Sequence, residues 1–181
     1  MVKDWPLVSS QAIADLGLFR LTKDRAHNPR TGTERDFFVL HMPDWLLVVP
    51  ITTDGQVVLV NQYRHGSRMS GLEVPGGLLD PEDPDPATAA LRELREETGY
   101  GGGEIKGLGW FWPQPALMSN RVHVFAALWV EPQGVQEQDE GEDLEVVLAD
   151  KEEVAAMTGD GRIHNAMSVM ALNLAKGAGL L

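Results

Sequence analysis

The sequence contains no cysteine, which excludes disulfide frameworks, zinc–thiolate centres and cysteine nucleophiles. No apolar run approaches the roughly 20 residues of a membrane-spanning helix, and the N-terminus lacks the apolar stretch of a signal peptide. We therefore expect a cytoplasmic protein without a membrane partner. Positive charge is scarce, since 15 Lys and Arg stand against 27 Asp and Glu, a net charge of −12. Nucleic acid is not expected as a partner, because its phosphates would be repelled.

What is present indicates an α/β or α+β fold in one domain. The 181 residues are 43% hydrophobic, enough for a packed core. Segments 18–23 and 36–41 have the character of strands around a polar, Arg-rich turn, and the clearest helix covers 87–99. Strands come first and then alternate with helices, and no linker is long enough to separate independent domains. We predict a β-stranded extension over residues 1–44 and the main domain over residues 45–181.

The segment 85–100 predicts a helix with an acidic face. Asp85 is suited to cap its start and Gly99 to end it in the left-handed conformation. At about 100° per residue, Glu93, Glu96 and Glu97 share a face away from the apolar stripe. Glu93 and Glu97 are one turn apart, so their carboxylates repel unless a cation is shared. Mg²⁺ suits such a pair, because it prefers hard oxygen ligands and bridges carboxylates to phosphates.

The helix alone leaves a second interpretation open. Its charged face is also typical of a solvated surface, with Arg92 and Glu96 as an i, i+4 ion pair. The preceding glycines, Gly76 and Gly77, favour a ligand site, because bare backbone lets a ligand or a metal approach closely.

Residues 77–100, GLLDPEDPDPATAALRELREETGY, resemble the Nudix box. The second half matches the pattern at every specified position, which are Arg92, Glu93, Leu94, Glu96, Glu97, Gly99 and Tyr100. The first half is one residue too long, so that its glutamate slot falls on Asp83 or Pro84. We interpret this as an insertion in the proline-rich loop, which leaves the role of the first-half carboxylate open.

The resemblance continues through VNQYRHG, WPQPALMSNRVHVFAA, DEGEDLEVV and GRIHNAMSVMALNLA, which look like the ADP-ribose pyrophosphatase branch of that family. It implies a Nudix α/β/α sandwich with a mixed sheet, preceded by the N-terminal extension. It further implies divalent-metal-dependent hydrolysis of ADP-ribose or another nucleoside diphosphate sugar. In that branch the extension helps to form a homodimer and part of the substrate site.

The same resemblance assigns the metal ligands. Glu97 and Glu93 match the main carboxylate ligands, and the carbonyl of Gly76 matches a further one. Glu96 matches a position that also reaches metal. Mg²⁺ is the expected ion, although the ligand set suits Mn²⁺ equally. Arg92 in this motif pairs with the box carboxylates and positions them.

Substrate-binding and proton-transfer roles are implied as well. Arg64 matches an arginine that contacts the substrate phosphates, and Pro115 matches a proline characteristic of this branch. Trp5 is suited to stack on a base. Within the acidic loop 136–145, a DExE pattern selects Glu140 as the general base and Glu142 as the second choice. Each of these features also has an ordinary interpretation. Arg64 would be a surface charge and Pro115 part of a structural turn. Trp5 would be a packed aromatic residue, and the acidic loop would simply be solvated.

Two other functions remain open at this stage. A Nudix enzyme with another substrate, such as NADH, is one, because WFWPQP is similar to a motif of that branch, although the spacing is poor. A nucleotide-sensing domain without catalysis is the other. The second is disfavoured, because degenerate members usually lose one of the three box glutamates and this chain keeps them all.

Overall fold

The structure, a computed structural model, describes residues 2–138 and 141–181. It forms two compact units, Met1–Asp44 with Trp112–Arg121, and Trp45–Phe111 with Val122–Leu181. The strands are β1 Leu7–Asp15, β2 Arg20–His27, β3 Glu34–His41, β4 Trp45–Thr52, β5 Val57–Arg64, β6 Met69–Glu73, β7 Tyr100–Gly101, β8 Glu104–Phe111, β9 Val122–Pro132 and β10 Leu144–Ala149. The helices are α1 Pro86–Thr98, α2 Lys151–Asp160 and α3 Ala166–Gly177.

The first unit is an antiparallel sheet in the order β1-β2-β3. Strand β1 was not predicted, because its side chains are nearly all exposed and follow no core-facing alternation. Strands β2 and β3 also extend into the predicted Arg-rich turn, which shrinks to residues 28–33. The reason is an ion pair between strands, in which Arg25 Nε donates to Asp36 Oδ1 at 2.8 Å. Charged cross-strand pairs stabilise a ladder whose sequence resembles a loop.

The second unit is built on a seven-stranded mixed sheet. Its main path is β10-β5-β4-β9-β7, while β6 pairs with β5 and β8 pairs with β9. Strands β4 and β9 are parallel, and the other pairs are antiparallel. The turn after β4 forms the predicted hairpin, with Ile51 opposite Val57.

Helices cover both faces of this sheet, because successive residues of a buried strand point to opposite sides. On one face Val49 and Leu59 pack with Leu172 of α3 and Val154 of α2. On the other face Val48, Val58 and Ala127 pack with Ala90 and Leu94 of α1. The predicted α/β/α sandwich with a mixed sheet and N-terminal strands is confirmed. None of the helices within the described ranges has the length and apolar character to cross a membrane.

Candidate active site

Helix α1 begins and ends at the residues that the sequence predicts. The Asp85 carboxylate accepts hydrogen bonds from the backbone N–H groups of Ala87 and Thr88 at 2.9 and 3.0 Å. Gly99 ends the helix with φ of 72°, a conformation that favours glycine. These caps determine which residues of α1 face the sheet and which face the glycines after β6.

The two glycines after β6 bring backbone against this helix. The carbonyls of Pro75 and Gly77 accept hydrogen bonds from β4, so the backbone groups of Gly76 turn the other way. The Gly76 N–H donates to Glu97 Oε2 at 2.9 Å. A Cβ at Gly76 would collide with the Leu46 carbonyl. Glycine is therefore required here, and its backbone faces the helix carboxylates.

Gly77 forms a cradle for the second carboxylate. A Cβ at this position would collide with the carboxyl group of Glu93. The absence of a side chain at Gly77 thus leaves the space that the Glu93 carboxylate uses. Both predicted main ligands, Glu93 and Glu97, consequently lie against the same two glycines.

Glu97 is buried, contrary to the prediction that all three glutamates lie away from the core. Only 4% of the residue is exposed, because it follows Leu94 on the inner side of α1. Burial raises the pKa of Glu97 to about 8, although the hydrogen bond from Gly76 lowers it. Burial likewise raises the pKa of Glu93 to about 7, against the charge of Arg92. Two carboxylates with raised pKa values side by side favour a cationic ligand.

Arg92 joins the carboxylates around the start of the box. Its Nε and Nη2 donate to the Asp83 carboxylate at 3.2 and 2.9 Å. Its Nη1 donates to Glu93 at 3.0 Å and to Glu96 at 2.9 Å. These hydrogen bonds from Arg92 lower the pKa of Asp83. The inserted residue in the loop therefore leaves Asp83 paired with Arg92, and the i, i+4 pair with Glu96 is one part of the same cluster.

Arg92→Lys should destabilise the protein and lower its activity. A lysine has no planar fork, so it cannot satisfy Asp83, Glu93 and Glu96 together. We expect a loss of about 2 kcal/mol and a melting temperature lower by several degrees. Arg95→Lys is the matched control, because Arg95 is exposed on the same helix. Equal melting temperatures for the two variants would contradict the role of Arg92.

The carboxylate set fits a hard divalent cation by its chemistry. Half-buried Glu93 and buried Glu97 supply carboxylate oxygens, the hard ligands that such a cation prefers. Within 2–138 and 141–181, no three His, Asp or Glu side chains converge closely enough to form a metal cluster. Glu93 and Glu96 turn towards Arg92 instead, and Glu97 turns towards Gly76.

A groove of about 480 Å³ opens beside these residues. It joins several of the residues that the sequence selected. Those that line it are Arg64, Gly76, Glu97 and Glu142, together with Glu73 and Gly77. Trp45, Tyr63 and Met167 also line the groove and were not selected. No motif marks them, because they come from three separate elements.

Arg64 is held at the groove by a fork of hydrogen bonds. Its Nε and Nη2 donate to the two carboxylate oxygens of Glu73 at 3.1 and 2.8 Å. The Glu73 side chain is 6% exposed, whereas that of Arg64 is 50% exposed. Because Glu73 takes two of the five guanidinium donors, the others can reach an anion.

The three remaining predicted site residues are not among those that the structure places along the groove. Trp5 belongs to the first unit, where its ring packs edge-to-face on Phe37 with centroids 5.6 Å apart. Pro115 belongs to the same unit and is exposed. Glu140, the first choice for the general base, lies outside the described residues.

Comparisons with known proteins agree with this architecture. The NUDIX domain model matches residues 41–167. GDP-mannose pyrophosphatase of Yersinia enterocolitica is 35% identical over 136 residues, which cover 71% of this chain and 70% of the relative. ADP-ribose pyrophosphatase of Bacillus subtilis is 28% identical, and the match covers 74% of this chain and 72% of that relative. Methanol dehydrogenase activator of Bacillus methanolicus is 28% identical, and the match covers 91% of this chain and 89% of that relative.

Among solved structures, the crystal structure of an ADP compounds hydrolase superposes with a TM-score of 0.85. The match covers 100% of this chain and 99% of that chain at 24% identity, and it shows a shared fold. The chain belongs to the Nudix family. The prediction of a Nudix pyrophosphohydrolase is thereby confirmed at the level of the family, whose members generally use divalent metal ions.

Proposed function

We propose that the protein hydrolyses the pyrophosphate bond of ADP-ribose or another nucleoside diphosphate sugar, giving a nucleoside monophosphate and a sugar phosphate. The observation that carries this proposal is the pair of carboxylates, half-buried Glu93 and buried Glu97, against Gly77 and Gly76 beside an open groove that Glu97 lines. The similarity to GDP-mannose and ADP-ribose pyrophosphatases supports it.

In this proposal the ligands are Glu93, Glu97, Glu96 and the Gly76 carbonyl, and the ion is Mg²⁺ or Mn²⁺. When bound, a divalent cation neutralises the pyrophosphate charge and polarises the phosphorus. Glu96 is the weakest member of the set, because Arg92 binds both Glu93 and Glu96 but the Glu96 side chain is the more exposed, at 31% against 13%. The Glu97 carboxylate is already oriented by the Gly76 N–H.

The other residues bind substrate and move a proton. Arg64, oriented by Glu73, donates from its free edge to the phosphates. Water attacks one phosphorus, the bond to the bridging oxygen breaks, and the departing phosphate takes that electron pair. A carboxylate of the acidic loop, Glu140 or Glu142, accepts the proton of the water. Glu142 lines the groove, which supports it as a candidate.

A substrate panel tests the proposal. Purified protein with Mg²⁺ is incubated with ADP-ribose, GDP-mannose, UDP-glucose, NADH or diadenosine polyphosphates, and phosphate is measured after phosphatase treatment. We expect the nucleoside diphosphate sugars to give the highest kcat/KM. A preference for NADH would instead support the alternative that the protein is a Nudix enzyme acting on NADH. No turnover of any substrate with Mg²⁺ or Mn²⁺ would favour a non-catalytic sensor.

We also propose that the first unit mediates a homodimer and contributes Trp5 and the Pro115 segment to the substrate site. The unit exposes large apolar side chains, among them Leu7, Ile13 and Phe38 at 61%, 48% and 54%. Several exposed large apolar side chains on one small sheet are compatible with an interface. Its residues carry 7 Lys and Arg against 6 Asp and Glu, so net charge does not oppose self-association there.

Light scattering should therefore give twice the chain mass of 19.8 kDa. Phe38→Glu should shift the protein towards monomer, because it places a charge in the proposed interface. Phe38 is already exposed, so the variant should remain folded. A wild-type monomer at micromolar concentration would remove the dimer and any site shared between chains.

A further inference from the structure

The first residues of the acidic loop are attached to the end of α1. A helix leaves its last carbonyls without intrahelical partners. Here the backbone N–H of Glu137 donates to the Glu96 carbonyl at 2.8 Å. The side-chain Nε2 of Gln136 donates to the Glu97 carbonyl at 2.6 Å. The carbonyls of two candidate metal-binding residues are thus bound by the beginning of the acidic loop.

The far end of the acidic loop is attached to the same segment. Gln138 Nε2 donates to the Leu144 carbonyl at 2.8 Å, and the Leu144 N–H donates back to Gln138 Oε1 at 3.3 Å. Gln136 Nε2 also reaches the Leu144 carbonyl, at 3.3 Å. A glutamine amide carries a donor and an acceptor like a peptide group. Gln138 therefore pairs with the Leu144 backbone as a residue of a neighbouring strand would.

Leu144 is a rigid anchor for these amides. It is 6% exposed and is the first residue of β10, where it pairs with Gln62 of β5. Glu142 lies two residues before it and lines the groove with Arg64 and Glu97. The two glutamines therefore connect the backbone of Glu97 with the first residue of β10, two positions after Glu142.

We propose that Gln136 and Gln138 are positioning residues for the reaction, which hold the acidic-loop carboxylate Glu142 at a set place opposite Glu97. The proposal rests on the proposed function, since it concerns the same reaction. Misplacing a reacting group by about 1 Å costs up to about 100-fold in rate. Loss of either amide should therefore lower kcat and leave KM little changed, because neither glutamine lines the groove.

Gln136→Glu is the sharpest variant, because it keeps the size and removes the donor to both carbonyls. We expect kcat for Mg²⁺-dependent ADP-ribose hydrolysis to fall about 10- to 100-fold. Gln138→Glu should cost less, because it still accepts from the Leu144 N–H. Gln133→Glu is the matched control: it adds the same charge nearby, yet its side chain lies beside Gly101 and Gly102. If Gln136→Glu does not fold, Gln136→Met tests the same loss without a charge.

A double-mutant cycle separates positioning from a general structural role. If Gln136 acts through Glu142, the Gln136→Glu change should have little further effect on kcat in a Glu142→Gln background. Full additivity, or an unchanged kcat in Gln136→Glu below its melting temperature, would overturn the inference and leave the proposed function standing. A wild-type protein inactive on the whole panel would overturn the proposed function instead.

Discussion

Glu97→Gln is expected to lower kcat by several orders of magnitude, with Glu93→Gln close behind. Each change replaces a hard carboxylate oxygen at the two glycines after β6, where Glu97 accepts from the Gly76 N–H and Glu93 occupies the space beside Gly77. EDTA should abolish wild-type activity, and Mg²⁺ or Mn²⁺ should restore it. Steady-state kinetics with ADP-ribose and with GDP-mannose measure the effect. Near-normal turnover in Glu97→Gln would remove the metal assignment.

The same variant should be more stable than wild type when metal is absent, which controls for unfolding. Burial raises the pKa of Glu97 from 4.5 to about 8. Between these pH values Glu97 stays protonated in the native state and loses its proton in the unfolded chain. The contribution of Glu97 to stability is therefore complete below about pH 4.5 and is lost as the pH rises towards 8. Glu97→Gln removes this pH-dependent loss of stability. In EDTA at pH 8 we expect a gain on the order of 2 kcal/mol in the free energy of unfolding.

Thermal unfolding in EDTA at pH 5 and pH 8 measures this effect. The difference between variant and wild type should be larger at the higher pH. A variant less stable than wild type at pH 8 would mean that the native protein stabilises the ionised Glu97, contrary to the effect of burial.

Glu140→Gln should lower kcat by about 10²- to 10⁴-fold and leave metal and substrate affinity nearly unchanged, as the loss of a general base predicts. The DExE resemblance ranks Glu140 first, whereas the groove contains Glu142. The two variants therefore decide between a sequence argument and a structural one. Glu137→Gln is the matched control, because Glu137 is exposed in the same loop and the change leaves its backbone hydrogen bond to the Glu96 carbonyl in place.

The outcome assigns the base. A large loss only in Glu142→Gln would move the role two residues along the chain. A full kcat in both variants would exclude Glu140 and Glu142, and the base would then be a box glutamate or metal-bound hydroxide alone. The pH dependence of kcat/KM gives an independent check, since removal of the base should abolish the acidic limb of the profile.

Local features of this chain were predictable because they depend on neighbouring residues. Asp85, Pro86 and Gly99 define the ends of α1 through capping chemistry that a short window contains. The box spacing identified the family, which the comparison with the NUDIX domain confirms. The order of strands and helices predicted an α/β or α+β domain, and the family resemblance added the mixed-sheet sandwich, which the structure shows. Strand β1 escaped prediction, because its exposed residues follow no burial pattern.

The sequence by itself determined which carboxylates exist, their spacing along α1 and the family of the fold. Tertiary structure decided their chemical environment. The contact of buried Glu97 with Gly76, the pairing of Arg92 with Asp83 and the fork between Arg64 and Glu73 join residues that are nine or more positions apart in the chain. Desolvation and hydrogen bonding act through space, so no pattern along the chain contains the raised pKa values of Glu93 and Glu97.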